Sequence, residues 1–167
     1  YGDEIHIYKR TIHEMDGVYD KIFMNDAFEH VTDPHEVMES IYRLLSPDGV
    51  ARIAIPIYPN IAYDMFGENW YQLDAPRHIF LHSRQSMEIL ARTHGLKIVE
   101  VEYNADVSQI FRSYLYSKDI PFWEQKMSMV IEDMGEGEVD AIAQLSREAN
   151  EKEYGDHAIF CLMHGEG

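Results

Sequence analysis

Three short stretches carry the side chains able to do chemistry. Glu29 and His30 are adjacent, and a carboxylate beside an imidazole either shifts the other's proton affinity for acid/base work or ties the loop by hydrogen bonds. Asp74, Arg77 and His78 follow one another closely; Arg77 suits a bound carboxylate or phosphate, or a salt bridge with Asp74 that holds its own loop. His78 and His82 stand four apart and His30 and His35 five apart, which raises the question of a metal. A zinc pair at that spacing needs a helix, whereas Ile79-Phe80-Leu81 reads as extended, so no metal site is expected. Cys161 lies in the apolar run Ala158–Met163 and reads as an inert core thiol. No Ser nucleophile elbow, P-loop or calcium-loop pattern is present.

The elements that must position these groups centre on Tyr19–Pro56. Tyr19–Met24 is a short apolar strand ending at Asn25-Asp26. Asp33 is placed to cap a helix, Pro34 suits its first position, and Val37, Met38, Ile41, Leu44 and Leu45 share one face. Ser46-Pro47-Asp48-Gly49 is expected to stop the helix and turn, with Gly49 at positive φ. Val50–Ile57 is then a second strand, giving a βαβ unit with locally parallel strands and helices expected on both faces. Ligands of such sheets sit beyond the carboxyl ends of the strands, here Asn25–His30 and Tyr58–Asn60.

Around that unit, Tyr1–Arg10 reads as a strand, and Tyr58–His82 as a long aromatic segment without period, either a flap facing a substrate or a pinned loop. Ser83 caps a helix over Arg84–His94 that Gly95 stops, and Leu96–Tyr103 alternates as a strand with one wet side. Glu124–Glu153 is acidic and helix-prone, split near Gly135 and Gly137, and His157–Met163 is a last apolar strand.

The 167 residues suit one domain. With 30 acidic against 14 basic residues and a net charge of −16, nucleic acid is not an expected partner. No run nears the roughly 18 apolar residues of a membrane span. A single cysteine excludes an internal disulfide and points to the cytoplasm.

The order YDKIFMNDAFEHVTDP, LLSPDG, IAIP and then FGENWYQLDAPRHIFLHSRQSMEILARTHGLKIVEVE resembles the C-terminal half of a class I S-adenosylmethionine-dependent methyltransferase of the small-molecule type. The resemblance covers Ile5–Tyr103 and a last strand, and implies a Rossmann-like α/β fold, mostly parallel, with an antiparallel last strand beside Leu96–Tyr103. It implies S-adenosylmethionine as cofactor, bound by Asn25, Asp26, Ala27 and Phe28, and a small-molecule methyl acceptor facing Tyr58, Trp70, Arg77 and His30, with His78 as base. The family's Gly-rich loop is not found before Tyr19, and Gly135-Glu-Gly137 follows no apolar strand. The expectation is a partial domain, truncated at its N-terminus and weak or inactive alone, with residues 124–154 an acidic helical insertion. Unpaired strand edges then favour self-association. The alternative is a non-catalytic methyltransferase-like module that binds a partner.

Overall fold

The computed structural model describes residues 5–165. Four strands, β1 (Tyr19–Asn25), β2 (Leu45–Pro56), β3 (Leu96–Tyr103) and β4 (His157–His164), form one sheet in the order β1-β2-β4-β3. β1 and β2 run parallel, and β4 lies antiparallel to both β2 and β3, so three strands point one way and the last runs between them in reverse.

Between β1 and β2 lies α1 (Pro34–Leu44). Asp33 starts it by accepting from the backbone N–H groups of His35 and Glu36, and Pro34 has no N–H to leave unpaired. Its apolar face (Val37, Met38, Ile41) and that of α3 (Arg84–Thr93; Met87, Leu90, Ala91) cover the same side of the sheet. There they meet Ala51, Ile53 and Ile55 of β2 and Ala158, Phe160 and Leu162 of β4, every second residue of each strand, as the pleat requires. Gly95 ends α3 at φ +73, the left-handed position after a helix.

A second apolar cluster joins α2 (Ile61–Phe66) and the buried Trp70 to α4 (Val107–Ser117). Phe111 and Leu115 of α4 also meet Val130 of α5 (Met127–Met134), with Ile142 of α6 (Glu136–Glu151) against both groups. The acidic stretch is therefore two helices, broken at Gly135 (φ +84).

Four expectations change. Residues 1–4 of the proposed first strand lie outside the described residues, and Ile5–Arg10 is not a strand; Ile5 and Ile7 are 90% and 91% exposed, so extension there buries no apolar side chain. Ser46–Gly49 does not separate helix from strand. Tyr19 pairs with Leu45 and Lys21 with Val50, so the four residues bulge from a strand that already begins at Leu45. Gly49 is not at positive φ; a Cβ there would lie 2.9 Å from Leu45 Cδ1 and Ser46 Oγ, so close approach explains the glycine. Nor are both sheet faces covered alike. Phe23 is 56% exposed opposite α1, beside Arg52, which reaches Glu102 at 3.6 Å.

Candidate functional site

β1 delivers its last residue, Asn25, to the carboxyl edge of the sheet, where the Asp26 N–H still donates to the Ala54 carbonyl (3.0 Å). Asp26 then turns the chain at φ +46, a left-handed conformation that short polar residues tolerate best. Ala27 leads into a 3-10 turn over Phe28–His30. Within it Phe28 points into the core, its ring 5.2 Å from that of His82; Glu29 is 1% exposed; His30 stands at the rim.

The opposite wall is the segment that follows Trp70. A 3-10 turn over Tyr71–Leu73 leads to Asp74 in the left-handed region (φ 35), and the chain returns toward α3. It is clamped there by one atom: the Glu29 carbonyl accepts from the N–H groups of both Ile79 (2.9 Å) and Phe80 (3.3 Å). That clamp brings His78 over Glu29. Asn104 beyond β3, Ser108, Gln109 and Arg112 on α4, and His157 at the start of β4 close a cleft of about 480 Å³. Asp106 caps α4 through the Ser108 N–H (2.8 Å), and the Arg112 guanidinium lies over the rings of Tyr71 and Phe122.

Two histidines of the cleft are held by backbone carbonyls, which only accept, so the contacting nitrogens must donate. His78 Nδ1–H donates to Gln72 (2.7 Å) and His30 Nδ1–H to Arg77 (2.8 Å). In the neutral ring each Nε2 then carries the lone pair. Both Nε2 atoms lie 3.9 Å from Glu29 Oε1, and Asp74 Oδ2 lies 3.6 Å from that of His78. Burial raises the Glu29 carboxyl above its ordinary value, and its Oε2 has no hydrogen-bond partner. Across the cleft His157 bridges Asp26 Oδ1 (2.9 Å) and Asn104 Oδ1 (2.7 Å).

Of the residues expected at the site, Asp26, His30, Arg77 and His78 line this cleft. Asn25 sits at the strand end beside it, and Ala27 opens on an adjoining hollow with Thr11 and Met24. Phe28 and Trp70 do not line the cleft. Both belong to the apolar clusters, and Trp70, 1% exposed, donates its indole N–H to the buried Asp156 (2.9 Å). Tyr58 lies outside the cleft with its ring against Tyr63 (4.9 Å). The Arg77 guanidinium is taken by Asp74, which favours the loop-holding role at that pair.

The histidine pairs suggested by spacing do not form. His35 meets His94 (2.9 Å), His82 packs under Phe28, and the two that converge, His30 and His78, come one from each pair. Asn104 and His157 were missed. The strand-end rule reaches Asn104, because β3 runs parallel to β1 and β2, and His157, because β4 starts where the others end. Gln72, Ser108, Gln109 and Arg112 give no signal in the sequence.

A family profile described as "Methyltransferase domain" matches residues 4–101. The curated C-methyltransferase NovU of Streptomyces niveus is 29% identical over 86 residues, 52% of this chain and 19% of that protein. Among solved structures, the fold is similar to the O-methyltransferase of a trans-AT polyketide synthase multienzyme of Brevibacillus brevis, solved with S-adenosyl-L-homocysteine (TM-score 0.51, 14% identity, 95% of this chain and 48% of that one). It is also similar to the [4+2]-cyclase SpnF (TM-score 0.51, 15% identity, 95% of this chain and 55% of that one). The chain thus spans about half the length of these structures and a fifth of the curated relative.

Proposed function

The chain belongs to the class I methyltransferase domain family, matched over more than half its residues, and from that premise we propose that its cleft serves methyl transfer from S-adenosylmethionine to a small-molecule acceptor. The observation that carries the reading is the oriented imidazole: His78, with Nδ1 fixed as a donor, presents a basic Nε2 into a cleft at the carboxyl edge of a Rossmann-like sheet.

S-adenosylmethionine supplies the electrophilic methyl group and a neutral thioether leaving group. Asn25 and Asp26 are the residues suited to hold it. They offer an amide and a carboxylate at the strand end, and the cofactor's amino-acid tail carries an ammonium group. His78 Nε2 receives the acceptor's proton as its nucleophilic atom attacks, and Glu29, 3.9 Å away, stabilises the imidazolium that forms. His30 and Arg77 border the acceptor's side of the cleft. The buried Gln72 in the cleft wall limits the water that competes for the same proton.

Gly135-Glu-Gly137 falls at the start of α6 and is not among the residues that line the cleft. The lone, buried Cys161 and the acidic balance fit a reducing compartment, the cytoplasm. No helix of the described residues is long and apolar enough to cross a membrane.

Calorimetric titration with S-adenosylhomocysteine tests the cofactor side. Saturable binding that Asp26→Ala weakens tenfold or more supports the reading. Binding indifferent to Asp26, or none at millimolar ligand, removes it for this chain.

A further inference from the structure

The His30–Glu29–His78 cluster presents a problem that the proton-transfer role does not resolve. Three acceptor atoms converge, two imidazole Nε2 lone pairs and one carboxylate oxygen, and all three lie within 4.8 Å of one another. At 3.9 Å neither Nε2 is hydrogen-bonded to Glu29 Oε1. The carboxylate is 1% exposed and its other oxygen has no hydrogen-bond partner either. Acceptors facing acceptors in a buried pocket repel unless a proton or a metal ion sits between them, and two imidazoles with one carboxylate can serve either.

We propose that Glu29, His30 and His78 bind one divalent first-row transition-metal ion. Two imidazoles and one carboxylate are the donor set of facial-triad sites, and they favour zinc, iron, cobalt or nickel over magnesium and calcium, which prefer oxygen ligands. The outer shell is already in place. Each ring is oriented by a carbonyl at Nδ1, Gln72 for His78 and Arg77 for His30, and carbonyl or carboxylate partners at the distal nitrogen are what fix metal-ligating histidines. Asp74 Oδ2, 3.6 Å from His78 Nε2, stands ready as a further ligand or a charge partner. Ligands about 2.1 Å from one ion lie roughly 3.0–3.4 Å apart, so the three side chains draw in by about 0.5–1 Å, within ordinary rotamer adjustment. The remaining coordination positions open into the cleft.

The proposal concerns binding and does not rest on the methyl-transfer reading. It does constrain it, because an ion on Nε2 and a proton on Nε2 exclude one another. The loaded protein would meet an acceptor hydroxyl with a Lewis acid in place of a free base.

The test uses the untagged 167-residue chain, stripped of metal and titrated with Co²⁺ alone, by visible absorption for coordination and calorimetry for stoichiometry, with no cofactor present. One ion per chain is expected. His30→Ala, which alters a half-exposed ring and leaves the core intact, and Glu29→Gln, which keeps the shape of the buried side chain, should each weaken binding by about 100-fold or more. His94→Ala, which breaks the separate His35–His94 contact, should leave the affinity unchanged. Far-UV circular dichroism establishes that each variant is folded. Absence of stoichiometric binding, binding indifferent to His30 and Glu29, or loss confined to His94→Ala would overturn the proposal. Each of these results leaves the S-adenosylhomocysteine titration to be decided on its own outcome.

Discussion

Replacing Trp70 by Phe separates two accounts of the most conspicuous residue in the aromatic segment. If Trp70 faces a methyl acceptor, the change alters substrate affinity and leaves stability alone. The structure instead makes it a strut, buried between Ala62 and Ile110 and donating to Asp156 Oδ2 at 2.9 Å. Removing a hydrogen bond to a buried charged group costs about 1.5–3 kcal/mol. The space left by the lost part of the indole, roughly 40 Å³ at about 24 cal/mol per Å³, adds about 1 kcal/mol. We therefore expect Trp70→Phe to lose about 2.5–4 kcal/mol in urea unfolding followed by far-UV circular dichroism, with Tm lower by roughly 5–15 °C.

The pH dependence sharpens the test. Burial holds the Asp156 carboxyl above its ordinary value of 3.8, while the Trp70 indole draws it partly back down. A carboxyl raised in the folded state favours folding fully below its unfolded value, and that stability is lost as pH rises through the folded one. Without the indole the folded value rises further, so the deficit of Trp70→Phe should be smaller near pH 4 and largest at neutral pH. In an Asp156→Ala background the tryptophan change should cost at least 1 kcal/mol less than in the parent. A cost under 1 kcal/mol, a cost constant from pH 4 to 7.5, or additivity with Asp156→Ala would refute the strut.

Four further outcomes are expected. Asp33→Ala removes the acceptor for His35 and Glu36 N–H at the start of α1 and should cost about 1 kcal/mol in thermal unfolding. Gly95→Ala meets both a φ of +73 and the Tyr42 ring 2.9 Å from the new Cβ; about 1–2 kcal/mol should be lost, part of it regained with Tyr42→Ala. Phe23→Lys charges the exposed face of β1, an edge strand, and should shift a concentration-dependent sedimentation profile toward monomer; a profile already monomeric at 100 µM or so would remove self-association. In a methyl-transfer assay His78→Ala should lower kcat by about 10²-fold or more with KM little changed, and an unaltered rate would dismiss His78 as base.

Much of the scaffold was legible because local signals agree with the tertiary result. Asp33-Pro34 and the Val37–Leu44 spacing specify α1, Ser83 and Gly95 bracket α3, and the apolar run His157–Met163 is β4, antiparallel beside β3 as the family resemblance implied. The failures share a cause. Ser46–Gly49 has turn composition, but pairing of Tyr19 with Leu45 keeps the segment in the sheet as a bulge, and Ile5–Arg10 alternates like a strand yet joins no strand of the described sheet. Period and propensity report what a segment tolerates; pairing decides what it does. Trp70 failed similarly. An aromatic in a motif-rich loop looks like a contact residue until the buried carboxylate of Asp156, 86 positions away, claims its N–H.

The site makes the point most strongly, because its histidines were visible and their grouping was not. Spacing joined His30 to His35 and His78 to His82. The Asp33 cap starts a helix that carries His35 away toward His94, just past the end of α3, and Phe28 holds His82 beneath the sheet edge. What unites His30 with His78 is a main-chain event, the Glu29 carbonyl accepting from Ile79 and Phe80, and a carbonyl has no residue type to read. It follows that side-chain replacement of Ile79 or Phe80 should leave the grouping standing so long as both N–H groups remain. Proline at 79 deletes the shorter of the two bonds and should separate His78 from Glu29. An Ile79→Pro variant that stays folded would then lose the Co²⁺ affinity assigned to the cluster, although every one of its ligands is still in the sequence.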